Sequence, residues 1–406
     1  MSSLTLLFVQ AAVIIALSRL LGVAGRRLGQ PQVIAEVIAG ILLGPSLLGW
    51  LWPAATATLF PASSVVVLGL LSQLGLVIFM FLVGLELDLS RIEGRAAVAI
   101  SQASIVLPFG LGAGAAVLLY PRLSPPSVPL LSFALFMGIA MSITAFPVLA
   151  RILAERGLTG TKVGAVAIAC AAVDDVTGWC LLAVVTAIVR RTGLQRAALT
   201  IGLAAAFVVV LFCARPLLAR LGRRAIEHAR LPQRFVALVL LLLLGASAIA
   251  ETIGIHALFG AFMLGVVMPK DAALVRGLSE KLEDLVTVLL LPLFFAYSGL
   301  RTQLGLIDSA AAWGTFALIL ALACLGKFGG STVAARLSGL SWREASTIGL
   351  LMNTRGLMEL VVLNIGLDLG VISPTLFTMM VMMALVTTML TGPGTSWIYP
   401  PARRTA

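Results

Sequence analysis

The chain has 406 residues, of which 60% are apolar and only 11% are charged, whereas a soluble domain carries about 25% charged residues. With a mean hydropathy of +1.10, it has too few polar side chains to cover a water-soluble fold of this size, so we expect a protein of the lipid bilayer. The net charge of +11 at pH 7 is found in nucleic-acid-binding proteins, but in a membrane protein it more often reflects cationic cytoplasmic loops.

A membrane-spanning helix needs about 20 mostly apolar residues, and thirteen stretches of the chain approach or exceed that length. We therefore predict an all-α polytopic membrane protein that forms a single transmembrane domain over residues 1–406. In chain order, the predicted helices cover residues 4–24, 31–50, 64–87, 95–119, 128–153, 160–189, 197–218, 233–252, 255–269, 283–301, 308–336, 343–367 and 374–396.

Positive charge is distributed unevenly between the two sides that these helices define. With the N-terminus outside, twenty lysines and arginines fall in inside segments and five in outside segments. Because cytoplasmic segments carry an excess of Lys and Arg, this split predicts an odd number of helices, an external N-terminus and a cytoplasmic C-terminus. The five outside cations are Arg122, Arg190, Arg191, Arg196 and Arg301, and the inside cations include Arg91, Arg95, Arg230, Arg403 and Arg404.

Two adjacent carboxylates, Asp174 and Asp175, lie in the middle of the apolar helix predicted over residues 160–189. An ionised side chain at the centre of a bilayer is costly and usually marks an ion or proton pathway. Successive helical side chains point about 100° apart, so the two carboxylates cannot face the same partner. We expect one to face a water-filled cavity and the other a neighbouring helix. The alternative is a buried ion pair that serves only helix assembly.

The preceding helix contains Ser142, Thr144 and Pro147 near its middle. Proline lacks an N–H group and disrupts the helical hydrogen bonds around it, and non-helical backbone at membrane depth is tolerated where it is buried in protein or lines a cavity. The freed carbonyls and the two hydroxyls are hard oxygen ligands suited to an alkali cation. The alternative is an ordinary proline kink.

The helix predicted over residues 308–336 contains one charged residue within the span, Lys327, which is followed by two glycines. A lysine at this depth requires a counter-charge, and the acid pair is its natural partner. The alternative is that its side chain extends to the membrane interface.

The helix predicted over residues 343–367 is also polar and interrupted. Arg355 and Glu359 are four residues apart and can pair on one face, while Asn353, Thr354 and Gly356 weaken the helix locally. Interrupted helices in both halves of a membrane chain are typical of inverted-repeat transporters, which bind their substrate between the two repeats.

Six stretches of this chain together resemble the monovalent cation:proton antiporter-2 family, especially its plant cation/proton exchangers and bacterial sodium/proton antiporters. They occur in the order expected for that family and cover nearly the whole chain. The stretches are Ile34–Trp50, Gly75–Leu89, Ala140–Ala154, Ala171–Cys180, Ile255–Lys270 and Asn353–Pro374.

The resemblance implies a thirteen-helix fold in which two discontinuous helices cross. Core helices at about 95–189 and 308–396 would move against scaffold helices at about 4–87 and 233–301, and the scaffold would form a homodimer. It further implies that no large cytosolic regulatory domain follows the last helix of this chain, although many relatives have one.

For the site, the resemblance implies that Asp175 is the main carrier of cation and proton, and that Asp174 is a second acid paired with Lys327. Thr144 and Ser142 would lie at the crossing of the discontinuous helices, so Asp174, Asp175 and Thr144 are the expected ligands of the monovalent cation. Two acids at this position imply electrogenic exchange.

We therefore predict a secondary active antiporter that exchanges Na⁺, K⁺ or Li⁺ for protons by alternating access in a bacterial inner membrane. We expect no enzymatic activity, no cofactor and no nucleic-acid partner. A sodium-coupled solute symporter of similar fold is the main alternative, followed by a uniport channel and a receptor without transport activity.

Overall fold

The fold was analysed in a computed structural model, which describes residues 3–87, 95–159, 161–190, 194–226 and 231–399. Over these residues the chain is helical, without β-strands. The helices of the first half are α1 (Ser3–Arg27), α2 (Gln32–Leu43), α3 (Leu48–Leu51), α4 (Pro53–Leu59), α5 (Ala62–Glu86), α6 (Arg95–Leu123), α7 (Leu130–Ser142), α8 (Phe146–Glu155) and α9 (Lys162–Arg190).

The second half contains two five-residue π-helical segments, Val286–Leu290 and Leu325–Gly329, each continuous with the α-helices on either side of it. A short 3₁₀ turn covers Leu304–Leu306. The α-helices are α10 (Leu194–Ile226), α11 (Gln233–Ile253), α12 (Ala257–Val267), α13 (Ala272–Leu285), α14 (Leu291–Leu300), α15 (Ala310–Cys324), α16 (Gly330–Leu337), α17 (Trp342–Met352), α18 (Leu357–Asp368) and α19 (Pro374–Ile398).

Within the described ranges, twelve helical segments are long and apolar enough to cross a membrane. The prediction of an all-helical polytopic membrane protein is therefore confirmed. The difference from the predicted thirteen lies in the ninth helix, which is present as α12 but is only 11 residues long. It ends early because the chain leaves the helix at Met268, directly before Pro269, and the residue before a proline disfavours the helical conformation.

Two predicted boundaries also differ from the observed ones. Helix α10 continues to Ile226 rather than ending near residue 218, and α13 begins at Ala272 rather than near residue 283. Both extensions contain arginine and lysine, which are good helix formers and are too polar to count toward an apolar span. Of the cations used to predict topology, Arg91, Arg191, Arg230, Arg403 and Arg404 lie outside the described residues, as do the side chains of Arg95 and Arg196.

Two spans are interrupted, as predicted from their sequences. The first breaks between α7 and α8, where Pro147 occupies the first turn of α8 and begins a new helix rather than continuing the old one. The second breaks between α17 and α18, over Asn353 to Gly356. Each break leaves backbone groups without their usual helical partners, and these groups form the centre of the candidate site.

The chain contains two compact units. The first comprises residues 1–62, 91–178 and 295–406, and it holds both interrupted helices. The second comprises residues 63–90 and 179–294. The assignment of particular helices to a moving core and a dimeric scaffold stays a prediction.

In the second unit, α5 and α12 approach each other closely through glycines. A Cβ atom at Gly84 would overlap the carbonyl oxygen of Phe262, and one at Gly265 would overlap that of Phe81. The Lys270 ammonium closes this crossing, because its Nζ donates to the carbonyls of Gly84 (2.7 Å), Leu85 (2.9 Å) and Gly265 (2.8 Å). A lysine thus satisfies carbonyls in the last turns of two helices, where partial negative charge accumulates.

Candidate functional site

The two interrupted helices meet at their breaks, within the first unit. The backbone N–H of Ala145 donates to the carbonyl of Thr354 (3.1 Å), so the α7–α8 break is hydrogen-bonded directly to the α17–α18 break. Arg355 strengthens the crossing, since its guanidinium donates to the carbonyls of Ala140 (3.2 Å) and Met141 (2.8 Å) at the end of α7. The crossed discontinuous helices predicted for this fold are therefore present.

Asp174, on α9, is surrounded by hydrogen-bond donors. Its Oδ1 accepts from Ser101 (2.5 Å), and its Oδ2 accepts from Ser104 (2.6 Å), Thr144 (2.6 Å) and Lys327 (3.1 Å). A carboxylate offers about four lone-pair sites to donors, so this one is fully provided for. The arrangement compensates for the loss of hydration that burial of an ionised carboxylate entails.

Lys327, in the second π-helical segment, is completely buried. Its ammonium donates to Asp174, to the Ser104 hydroxyl (3.3 Å) and to the Thr144 hydroxyl. The three donors of a lysine ammonium thus each have an oxygen partner. The predicted Lys327–Asp174 ion pair is present in the structure, and the alternative of a side chain extended to the membrane interface is excluded.

Asp175 has the opposite environment, although it follows Asp174 directly in the chain. It is 1% exposed, and neither of its carboxylate oxygens has a hydrogen-bond partner within the described part of the chain. The backbone N–H of Phe146, at the start of α8, faces this carboxylate without making a hydrogen bond. Buried carboxyl groups without partners are rare in proteins and indicate either a bound ion or proton or a catalytic role.

The other predicted residues take different positions. Arg355 and Glu359 form the expected buried ion pair (3.0 Å). Thr144 joins the Asp174 cluster and also lies 3.2 Å from the carbonyl of Met352 in α17. Ser142 is buried, but its hydroxyl donates to the carbonyl of Ile139 in its own helix rather than to either aspartate.

Two residues of the cluster, Ser101 and Ser104, were not predicted from the sequence. Serines are common in membrane helices, and nothing in α6 itself marks these two as partners of an acid on another helix. A signal was present in the glycines around Lys327. A Cβ atom at Gly326 would lie 2.7 Å from Pro108 of α6, and one at Gly330 would lie 3.1 Å from the Ala103 carbonyl, so the two helices pack closely.

The oxygens at the crossing suit a monovalent cation better than a transition metal. No group of three or more His, Cys, Asp or Glu side chains in the described ranges is arranged to hold a metal ion. The Asp175 carboxylate is the unpartnered acid at the crossing, and the α17–α18 break adds two unpartnered side-chain oxygens, Asn353 Oδ1 and Thr354 Oγ1. Carboxylate, amide and hydroxyl oxygens are hard ligands of the kind that alkali cations accept.

Comparison with known families places these observations in context. The family described as "Sodium/hydrogen exchanger, transmembrane" matches residues 12–399. The chain is 44% identical to the Na⁺/H⁺ antiporter NhaS4 of Synechocystis over 98% of both chains.

Longer eukaryotic proteins match as well. The identity is 45% to cation/H⁺ antiporter 19 of Arabidopsis thaliana, covering 100% of this chain and 51% of the plant protein. It is 35% to K⁺/H⁺ antiporter 1 of Saccharomyces cerevisiae, covering 99% of this chain and 47% of the yeast protein. The chain therefore spans about half the length of these two relatives.

Among solved structures, the sodium proton antiporter MjNhaP1 from Methanocaldococcus jannaschii has a similar fold. The TM-score is 0.70 over 97% of both chains, at 15% sequence identity. The architecture is thus shared at a level of sequence similarity where residue-by-residue comparison carries little information.

Proposed function

The chain belongs to the sodium/hydrogen exchanger family, and we propose that it is a secondary active antiporter exchanging a monovalent cation for protons, with Asp175 as the carrier. The observation that carries this proposal is the unequal treatment of two adjacent buried acids. Asp174 accepts four hydrogen bonds, whereas Asp175 accepts none at the crossing of the interrupted helices. Relatives named as Na⁺/H⁺ and K⁺/H⁺ antiporters support the same reading.

The environment of Asp175 provides the exchange rule. A bare carboxylate without donors is too costly to carry through a low-dielectric barrier, so Asp175 crosses either protonated or with a cation bound. Because one carboxylate binds both, the two substrates compete, and a cation delivered on one side is replaced by a proton on the other. Alternating access then couples the two gradients without a further energy source.

The Asp174–Lys327 pair supplies the second element of the proposal. When the entering cation draws on Asp174, Lys327 loses its counter-charge and can release its proton, which would make exchange electrogenic. This step requires the ion pair to be fully shielded from water, and both side chains are buried. Thr144 contacts both members of the pair and sits at the crossing, where it would register movement of α7 and α8.

The remaining assignments follow from membership of the family. The chain is an integral membrane protein, and we propose a bacterial inner membrane, an external N-terminus and a homodimer formed by the scaffold helices. The symporter alternative gains no support from the compared relatives, which are named as antiporters.

The decisive experiment measures dissipation of a pH gradient in proteoliposomes on addition of Na⁺, K⁺ or Li⁺ at several pH values. We expect wild-type protein to dissipate the gradient and Asp175→Asn to abolish the response, because the amide can carry neither a proton nor a bound charge. The apparent KM for the cation should rise as the pH falls, since protons compete for the same carboxylate. Full exchange by Asp175→Asn, or acceleration of sodium uptake by an organic solute without dependence on pH, would refute the proposal.

A further inference from the structure

Two buried hydroxyls on α6, those of Ser101 and Ser104, bind the carboxylate that does not face the crossing unpartnered. Both serines are completely buried, and they lie three residues apart, so their side chains share one face of the helix. Ser101 takes Oδ1 of Asp174 at 2.5 Å and Ser104 takes Oδ2 at 2.6 Å, so each oxygen of the carboxylate receives a serine.

The protons in this cluster match one charge state. Each of the three hydroxyls, of Ser101, Ser104 and Thr144, has a single hydrogen to give, and each lies within hydrogen-bond distance of Asp174. The Lys327 ammonium has three, and its three oxygen partners are Asp174, Ser104 and Thr144. All these donors are used when Asp174 is ionised and Lys327 is protonated. A proton on Asp174 would displace one hydroxyl, and a neutral lysine would leave one oxygen without its donor.

Close helix packing holds the serines in place. Gly326 and Gly330, which flank Lys327, lie against Pro108 and Ala103 of α6, and a side chain at either glycine would push the helices apart. The serines therefore approach Asp174 from a helix that is fixed to the segment bearing Lys327. A carboxylate held from three helices cannot turn toward Asp175 without breaking several of these hydrogen bonds.

We propose that Ser101 and Ser104 are positioning residues that keep Asp174 ionised and paired with Lys327, so that Asp175 alone carries the exchanged cation and proton. The inference rests on the proposed antiport function and deepens it by dividing the roles of the two acids. It modifies the expectation that Asp174 and Thr144 are cation ligands, because their hydrogen-bonding capacity is already taken up within the cluster.

The test replaces each serine with alanine and measures exchange in proteoliposomes as a function of pH and cation concentration. Loss of a donor disfavours the ionised carboxylate, and ionisation is recovered only when protons are scarcer. We expect the pH of half-maximal exchange to rise by about one unit for each serine removed, as for loss of one hydrogen bond to a charged group. At alkaline pH the apparent KM for the cation should stay within about twofold of wild type, because Asp175 loses no contact.

Ser331→Ala is the matched control. Ser331 is a completely buried serine on α16, and its hydroxyl has no hydrogen-bond partner within the described residues. It removes the same atom near the same helix without touching Asp174, and its pH profile should equal that of wild type. Ser101→Thr and Ser104→Thr, which keep the hydroxyl, should also retain the wild-type profile.

The cysteine variants, Ser101→Cys and Ser104→Cys, guard against poor folding of the alanine variants. A thiol fills similar space but donates weakly, so the profile should move in the same direction by a smaller amount. Unchanged profiles in the alanine or cysteine variants would overturn the proposal, as would a raised cation KM at alkaline pH without a change in the pH profile. An inactive wild-type protein would instead count against the antiport function itself.

Discussion

Asp174 and Asp175 are consecutive residues of α9, yet the cluster of donors surrounds only the first of them. Asp174 receives three hydroxyls and an ammonium, while both oxygens of Asp175 lack a hydrogen-bond partner in the described structure. The difference follows from the helix itself, since side chains one residue apart diverge by about 100°. One acid therefore faces α6 and the lysine, and the other is available to a mobile ion.

Replacement of Lys327 should destabilise the protein strongly. Lys327→Ala leaves Asp174 as a buried charge without its counter-ion, and breaking such a pair typically costs about 3–5 kcal/mol. We expect a clear fall in the midpoint of thermal unfolding of the purified protein in detergent, together with altered exchange stoichiometry.

The control for this prediction is a double-mutant cycle. In an Asp174→Asn background no charge remains to be orphaned, so the same lysine substitution should cost much less. Equal effects of Lys327→Ala in both backgrounds would show that the lysine acts through packing rather than through its charge.

Arg355 should matter for the crossing as well as for its ion pair. Arg355→Met removes the bonds to the carbonyls of Ala140 and Met141 and leaves Glu359 unpaired, all in a region excluded from water. We expect a loss of about 3–5 kcal/mol in stability and a severe reduction in exchange, measured by thermal unfolding and by pH-gradient dissipation.

A second variant separates the two contributions of Arg355. Arg355→Met combined with Glu359→Gln removes the buried charge and should recover part of the stability, but the carbonyl bonds stay broken, so exchange should remain impaired. Lys162→Ala, at an ion pair whose lysine is largely exposed, should leave both measurements unchanged. Full recovery of exchange in the double variant would show that the carbonyl bonds are dispensable.

Local sequence patterns were sufficient for the features that depend on neighbouring residues. Pro147 marks the break of the first helix through its own covalent structure, and the spacing of Arg355 and Glu359 predicts an ion pair that the structure contains. The partner of Lys327 could also be predicted, because a buried lysine requires an acid and few acids lie within the membrane spans.

Features that depend on packing between distant segments could not be read from the sequence. Ser101 and Ser104 meet Asp174 across more than seventy positions, and which face of α6 turns toward α9 is decided by close glycine contacts on yet another helix. Ser142 illustrates the converse. Its position beside Thr144 suggests a cation ligand, but its hydroxyl binds its own helix because successive side chains leave a helix in different directions.

Lys270 provides a stability prediction outside the candidate site. Lys270→Met removes an ammonium that donates to three carbonyls at the ends of α5 and α12, and carbonyls left without a donor cost about 1–3 kcal/mol. We expect a lower unfolding midpoint. Lys281→Met makes the same chemical change at an exposed position of α13 and should have little effect. Equal midpoints for the two variants would contradict a capping role for Lys270.

The glycine crossing of α5 and α12 gives the sharpest steric test. A methyl group at Gly84 would overlap the backbone oxygen of Phe262, which cannot move aside without shifting α12. Gly84→Ala should therefore destabilise the protein by about 1–3 kcal/mol or more, as overpacking does elsewhere, despite the better helix propensity of alanine. Gly245→Ala in α11 is the matched control, because a Cβ there meets nothing within 4 Å and should be neutral or stabilising. If both substitutions raised the unfolding midpoint, helix propensity would outweigh contact, and the close approach of α5 to α12 would have to be abandoned.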